Sequence, residues 1–379
     1  MRKAVSVLLL ASALCLAMYK PVYAMDGGVD FGSVWGDYGL GEVSKSLKEM
    51  LPSYDWDMQE ILSNILRGHI FAAAGLVWDG VKGTLAAEVA GMKNIFASIL
   101  ILGIISALFT NFSDIFQNHQ IADISFYFLY LLLMATLMKA FLMAAEIASS
   151  AIGDMVLFIK IFLPTYFMAV GAAAGAATAA AYYQFMLALA YLVEKMLSVA
   201  LLPLIYSYVL LALMNGVWAE ERLTLLLEGL KKIIGAGLKV ALGAVTSLSL
   251  FQSMITPVLD SLQGTAIKKA ISVIPGIGSL AEGVTEMVVG SAVLIKNSIG
   301  LFLLLLLLAI CLAPLLKLLL IACIMKGSAA LAGIVSDKRI TGCTDRVGDG
   351  SFLLFRTALT AVALFLIVIA VVAYTTGRM

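Results

Sequence analysis

The chain has 379 residues, 62% of them hydrophobic and 13% charged, with a formal net charge of +1 and a mean hydropathy of +1.03. An average soluble protein carries about 25% charged residues, so this composition excludes an ordinary water-solvated surface over most of the length. Lys and Arg are scattered without a basic, aromatic-interleaved stripe, which excludes a nucleic-acid-binding face. The pattern is that of an all-α polytopic integral membrane protein with a short polar preface.

The N-terminus carries Arg2-Lys3, an apolar core from Ala4 to Met18, a break at Lys20-Pro21 and the small-residue site Val22-Tyr23-Ala24. This order predicts a signal peptide over 1–24 and a mature N-terminus outside the cytoplasm. An uncleaved anchor is the alternative, although the core is short for a span. Residues 25–93 form an extracytoplasmic polar and amphipathic helical region that starts with a Gly- and Asp-rich stretch. Within it Met58, Ile61, Leu62, Ile65 and Leu66 share one helical face. They predict a helix from about Ser53 to near Gly68, whose stripe can lie on the membrane interface, dock a partner or pack on the next helix at 71–92.

The polytopic membrane domain covers 94–379, with spans expected at about 94–112, 124–148, 154–176, 178–217, 234–257, 298–325 and 353–375. The fourth segment would make a rod of about 60 Å, twice the bilayer core. It is either two helices turning near Glu194-Lys195 or Pro203, or one long helix. Arg222, Lys231 and Lys232 in the 218–233 link, and Lys326, Lys338, Arg339 and Arg346 in a polar 326–352 loop, assign both segments to the cytoplasm. From an outside N-terminus this favours two spans in 178–217 and eight in total, or seven if one segment is re-entrant.

Between 258 and 297 an amphipathic helical insert is expected on the outer face. Its two helices hinge at Ile274-Pro275-Gly276-Ile277-Gly278, and Ser279 to Glu282 form a capping box for the second. That helix carries Lys296-Asn297 into a run with no charge from Ser298 to Leu316.

Ionisable residues inside spans mark pathways, because hydrocarbon does not solvate them. The candidates are Lys139, Glu146, Lys160, Glu194, Lys195 and Lys317. Glu146 and Lys160 lie near expected span ends, and the Lys317 stem can reach the headgroups. Lys139 sits about 22 Å into its span and is expected to face protein or water. Gly171, Gly175 and Ala179 form either a small-residue helix-packing row or a small-residue loop. Pro314 and Pro203 each remove a helix hydrogen bond. His69 and His119 stand in no metalloprotease pattern, no nucleophile elbow or phosphate loop exists, and Cys15, Cys311, Cys323 and Cys343 have no metal-ligand spacing. These observations argue against an enzyme and call for no cofactor or metal.

Three segments carry a family resemblance: Lys268-Lys269-Ala270-Ile271-Ser272-Val273-Ile274-Pro275-Gly276-Ile277-Gly278, then Leu294-Ile295-Lys296-Asn297-Ser298-Ile299-Gly300, then Ala313-Pro314-Leu315-Leu316-Lys317. With the leader, the polar preface and the multiple spans, the chain resembles the stage III sporulation protein AE family. The resemblance implies a non-enzymatic membrane component of endospore-forming bacteria, in the mother-cell-derived membrane surrounding the forespore. There it would join other membrane proteins in a secretion-like or channel complex that keeps the forespore metabolically competent and supports late sigma-factor activity. It brings no catalytic residues. Pro275, Gly276, Gly278, Lys296, Asn297, Gly300, Pro314 and Lys317, together with Lys139, are the candidates for assembly or conduction. The alternative is a permease-like transporter that moves a small solute by itself along a path lined by Lys139. Paired repeats, common in transporters, are not evident, which favours the subunit reading.

Overall fold

The computed structural model describes residues 35–50, 57–80, 119–174, 176–217, 222–271, 278–334 and 338–377, with isolated positions at 97–98, 101 and 104–105. The expected signal peptide 1–24, most of the 94–112 span, Gly175, Pro275 and Gly276 lie outside the described residues.

The polar preface supplies α1 (Leu40–Met50) and α2 (Met58–Leu66). In α1, Glu42 in the first turn and Lys48 in the last match the helix dipole, while Leu40, Val43 and Leu47 are buried on one side. In α2, the Asp57 side chain accepts from the backbone N–H groups of Gln59 at 3.0 Å and Glu60 at 3.2 Å, satisfying two of the orphan donors at a helix start. Met58, Ile61, Leu62 and Ile65 form its buried stripe. The helix stops where Gly68 adopts a φ of 82°, a left-handed conformation that only glycine adopts readily. A short apolar helix, α3 (Ile70–Gly80), follows.

The bundle itself consists of α4 (His119–Ala174), α5 (Ala176–Lys195), a π-helical turn (Met196–Leu201), α6 (Leu202–Asn215), α7 (Thr224–Ile271), α8 (Gly278–Ala332) and α9 (Lys338–Gly377). Its centre is α8, α9 and α4 in mutual contact; α5 lies on α4, and α6 and α7 lie on α9. The preface is attached to this centre, α1 packing on α4 and α2 on α8. The partner that α2 meets is α8, which none of the three expected fates named; the nearest of them was packing on the following helix at 71–92.

Four helices among the described residues are long and apolar enough to cross a membrane: Phe126–Ala173, Ala179–Asn215, Ile295–Ala332 and Lys338–Ile369. The expected seven or eight are not reached among these residues: most of 94–112 lies outside them, 234–257 lies within α7 and is not one of the four, and two expected breaks are absent. The stretch Ser149-Ser150-Ala151-Ile152-Gly153, expected to separate two spans, stays helical, so 124–148 and 154–176 are one helix. Likewise 178–217 contains no turn: near Glu194-Lys195 the chain passes into the π segment and continues as α6, with Pro203 in its first turn, where a missing N–H matters least.

Two further expectations change in the same way. The two helices of the 258–297 insert are the ends of α7 and α8, which bracket 272–277, and not separate interfacial pieces. The polar 326–352 loop is helix on both sides of a short connection, the last turns of α8 and the first turns of α9.

Side chains on α9 show how a helix is buried on nearly every side. Its apolar window is 83% buried, and the polar residues buried on it are small. Thr344, Ser351 and Thr357 are buried and donate to the carbonyls of Ile340, Val347 and Leu353, four residues earlier, so no hydroxyl is left without an acceptor.

Candidate functional site

At one end of the bundle, charges from three helices form a single chain of ion pairs. Asp349 of α9 accepts from Lys231 of α7 at 2.6 Å and from Lys326 of α8 at 2.7 Å, and Lys326 also reaches Asp345 at 2.7 Å. Asp345 and Asp349 are one helical turn apart, so both carboxylates face the same neighbours. Beside them the Arg339 guanidinium lies 3.7 Å from the centre of the Phe126 ring, a cation–π contact joining the start of α9 to the start of α4. The Tyr130 hydroxyl donates to the Leu213 carbonyl at 2.6 Å, and the Asn215 side chain accepts from the Leu223 N–H at 2.8 Å. A Cβ at Gly350 would overlap a methyl of Val209, so glycine is what lets α9 approach α6 here. This end brings together the two basic segments, 218–233 and 326–352, that the sequence assigns to one side of the membrane.

A second locus lies near the other end of the apolar core. Lys296 is 0% exposed, and its Nζ has no hydrogen-bond partner among the described residues. One turn later Gly300 is buried, with a Cβ there falling 3.2 Å from the Tyr166 ring of α4. Ile159, Leu163, Tyr166, Met186, Gly300, Leu303 and Ile369 line an apolar cleft with room for about one water molecule at most. Phe162 and Phe302 meet at 6.1 Å beside it. Among the described residues, side chains fill the interior around this cleft.

The remaining sequence candidates are dispersed. Asn297 is half-buried next to Lys296, and Pro314 and Lys317 are half-buried further along α8. Gly278 is the first residue of α8. Lys139 is exposed on the outer side of α4. Gly171 and Ala179 do pack together: a Cβ at Gly171 would lie 3.5 Å from that of Ala179. They belong to α4 and α5, so their small size serves the close approach of the two helices. On the outer face of that pair, Lys160 Nζ lies 3.6 Å from Glu194 Oε2.

Asp345 and Asp349 were not singled out by the sequence, although their one-turn spacing was a usable signal once 338–352 is read as helix. No group of three or more His, Cys, Asp or Glu able to hold a metal occurs among the described residues. The arrangement offers charge-pair latching between helices and a buried ammonium.

Such a bundle, with four helices able to cross a bilayer and charges pairing between them, defines a helical protein of membrane type. The family model for stage III sporulation protein AE matches residues 56–376, and the chain belongs to that family. It is similar to stage III sporulation protein AE of Bacillus subtilis (strain 168), with 23% identity over 293 residues that cover 77% of this chain and 73% of that protein. No solved structure matches the chain.

Proposed function

We propose that the chain is a non-enzymatic membrane subunit of a sporulation-specific, secretion-like or channel complex in the membrane around the forespore, where it supports forespore development and late sigma-factor activity. Family membership supports the sporulation role. The observation that favours a subunit over a self-sufficient permease is the narrowness of the cleft at the centre of the described bundle. The cleft between α4, α5, α8 and α9 holds about one water at most, and Lys139 faces outward. A solute path would then require surfaces contributed by more than one chain.

The experiment is a pair of measurements on one preparation. Affinity capture from sporulating cells in mild detergent is expected to retrieve other membrane proteins in fixed ratio. The purified chain alone in liposomes is expected to leave small-solute flux at the level of empty vesicles. Flux that Lys139→Ala abolishes would overturn the subunit reading in favour of a transporter.

A further inference from the structure

We propose that the outward face of α4 and α5 at Lys160 and Glu194 is a homodimer interface, closed by a second copy of this chain. Their side chains are 46% and 35% exposed, so the pair stands on the outside of the bundle. Its depth follows from its neighbours. Ile159 and Leu163, flanking Lys160 on α4, share a cleft with Gly300 and Leu303 of α8, and Phe162 meets Phe302. Those α8 residues belong to the uncharged run from Ser298 to Leu316. Lys160 is therefore one to two turns inside a stretch that reads as hydrocarbon-spanning, not at its edge.

An exposed ion pair is unremarkable in water. Facing lipid tails it has neither solvation nor further counter-charge, so such groups face protein or water instead. Among the described residues the pair is uncovered: the α4 and α5–α6 windows are 44% buried, against 83% for α9.

The charges on this face select the occupant. Lys160 and Glu194 sit on adjacent helices that run in opposite directions, as the successive contacts Gly171–Ala179, Phe167–Tyr183 and Lys160–Glu194 require. A two-fold axis along the membrane normal preserves the direction of every helix and places α4 against the partner's α5. Lys160 then meets the partner's Glu194, and Glu194 the partner's Lys160, so that four charges alternate in sign. A balanced face of this kind is complementary to itself, whereas a foreign partner would be recognised by an excess of one sign. Close approach is possible because Gly153 on this face has nothing within 4 Å of a built Cβ. Leu157 and Val199, 44% and 63% exposed, supply an apolar rim.

This inference rests on the membrane reading, which carbonate extraction of cell membranes tests separately. In the full chain with Cys323→Ser, Leu157→Cys and Val199→Cys are placed on two differently tagged copies and co-expressed. Mild oxidation of the membranes is expected to give a disulfide-linked species carrying both tags. Ile233→Cys, 57% exposed on α7, is expected to give none with either copy. Lys160→Glu or Glu194→Lys alone should remove most of the linked species, and the double exchange should restore it. The proposal is overturned if carbonate-resistant protein gives no two-tag species, if it links only to another protein, or if Leu157→Cys is labelled from water by a membrane-impermeant maleimide. Loss of carbonate resistance would instead sink the membrane reading itself.

Discussion

Lys296 poses the sharpest question at the scale of a single residue. A fully buried ammonium with no hydrogen-bond partner among the described residues loses its hydration without replacement. If stability alone mattered, an apolar side chain of similar length would serve better, since replacing buried charge with apolar volume is often neutral or stabilising. Lys296→Met is therefore expected to stabilise the purified protein by about 1 kcal/mol or more, seen as a higher midpoint of thermal unfolding in detergent. The titre of heat-resistant spores is expected to fall in the same strain, because a destabilising charge is retained for what it does. A lower midpoint would mean that Lys296 has a structural partner. Its place at the border of the uncharged run was legible from the sequence; its burial was not. Asp345 and Asp349 were not, because three glycines, Gly342, Gly348 and Gly350, gave their surroundings the composition of a loop. At Gly350 the missing side chain serves the approach of α9 to α6 instead.

Elements show the same division between what local pattern reveals and what packing decides. The apolar stripe of α2 and its end near Gly68 were readable because both are local: a 3.6-residue period and a left-handed glycine. What the stripe packs against is a long-range matter, and α8 is more than 200 residues away in sequence. The continuity of α4 was hidden for the opposite reason, since Ser149, Ser150, Gly153 and Asp154 look like a break when a hydrophobic span is the only template. Inside α4 they take ordinary helical turns, with Asp154 close to Cys311 of α8, so their local polarity does not end the helix. Ile61 tests the α2 docking: it is 0% exposed, and Ile61→Ala is expected to weaken packing by about 2–4 kcal/mol. That is comparable to the whole stability of a small docked element. Limited proteolysis should then cut the 35–80 region faster while the α4–α9 bundle stays intact. Unchanged protection would show that α2 is held by other contacts.

At the scale of the whole molecule, helix length decides how the bundle can sit in a bilayer. From Gly300, beside the apolar cleft, to Lys326 in the ion-pair chain is about 39 Å along α8 at 1.5 Å per residue. The hydrocarbon core is about 30 Å, so a bundle whose 298–316 run fills that core holds the Lys231–Asp349–Lys326–Asp345 chain outside it. The network also joins α7, α8 and α9 directly, which requires their charged ends to share one side of the membrane. Lys232 and Lys338 are both exposed near it. Cysteines at these two positions, introduced one at a time in the Cys323→Ser background, are expected to react with a membrane-impermeant maleimide from the same side of sealed vesicles and with similar rates. A cysteine at the buried Leu303 should stay unlabelled from either side. Labelling of positions 232 and 338 from opposite sides would separate the partners of an ion pair by a bilayer, and this arrangement of α7 and α9 would have to be abandoned.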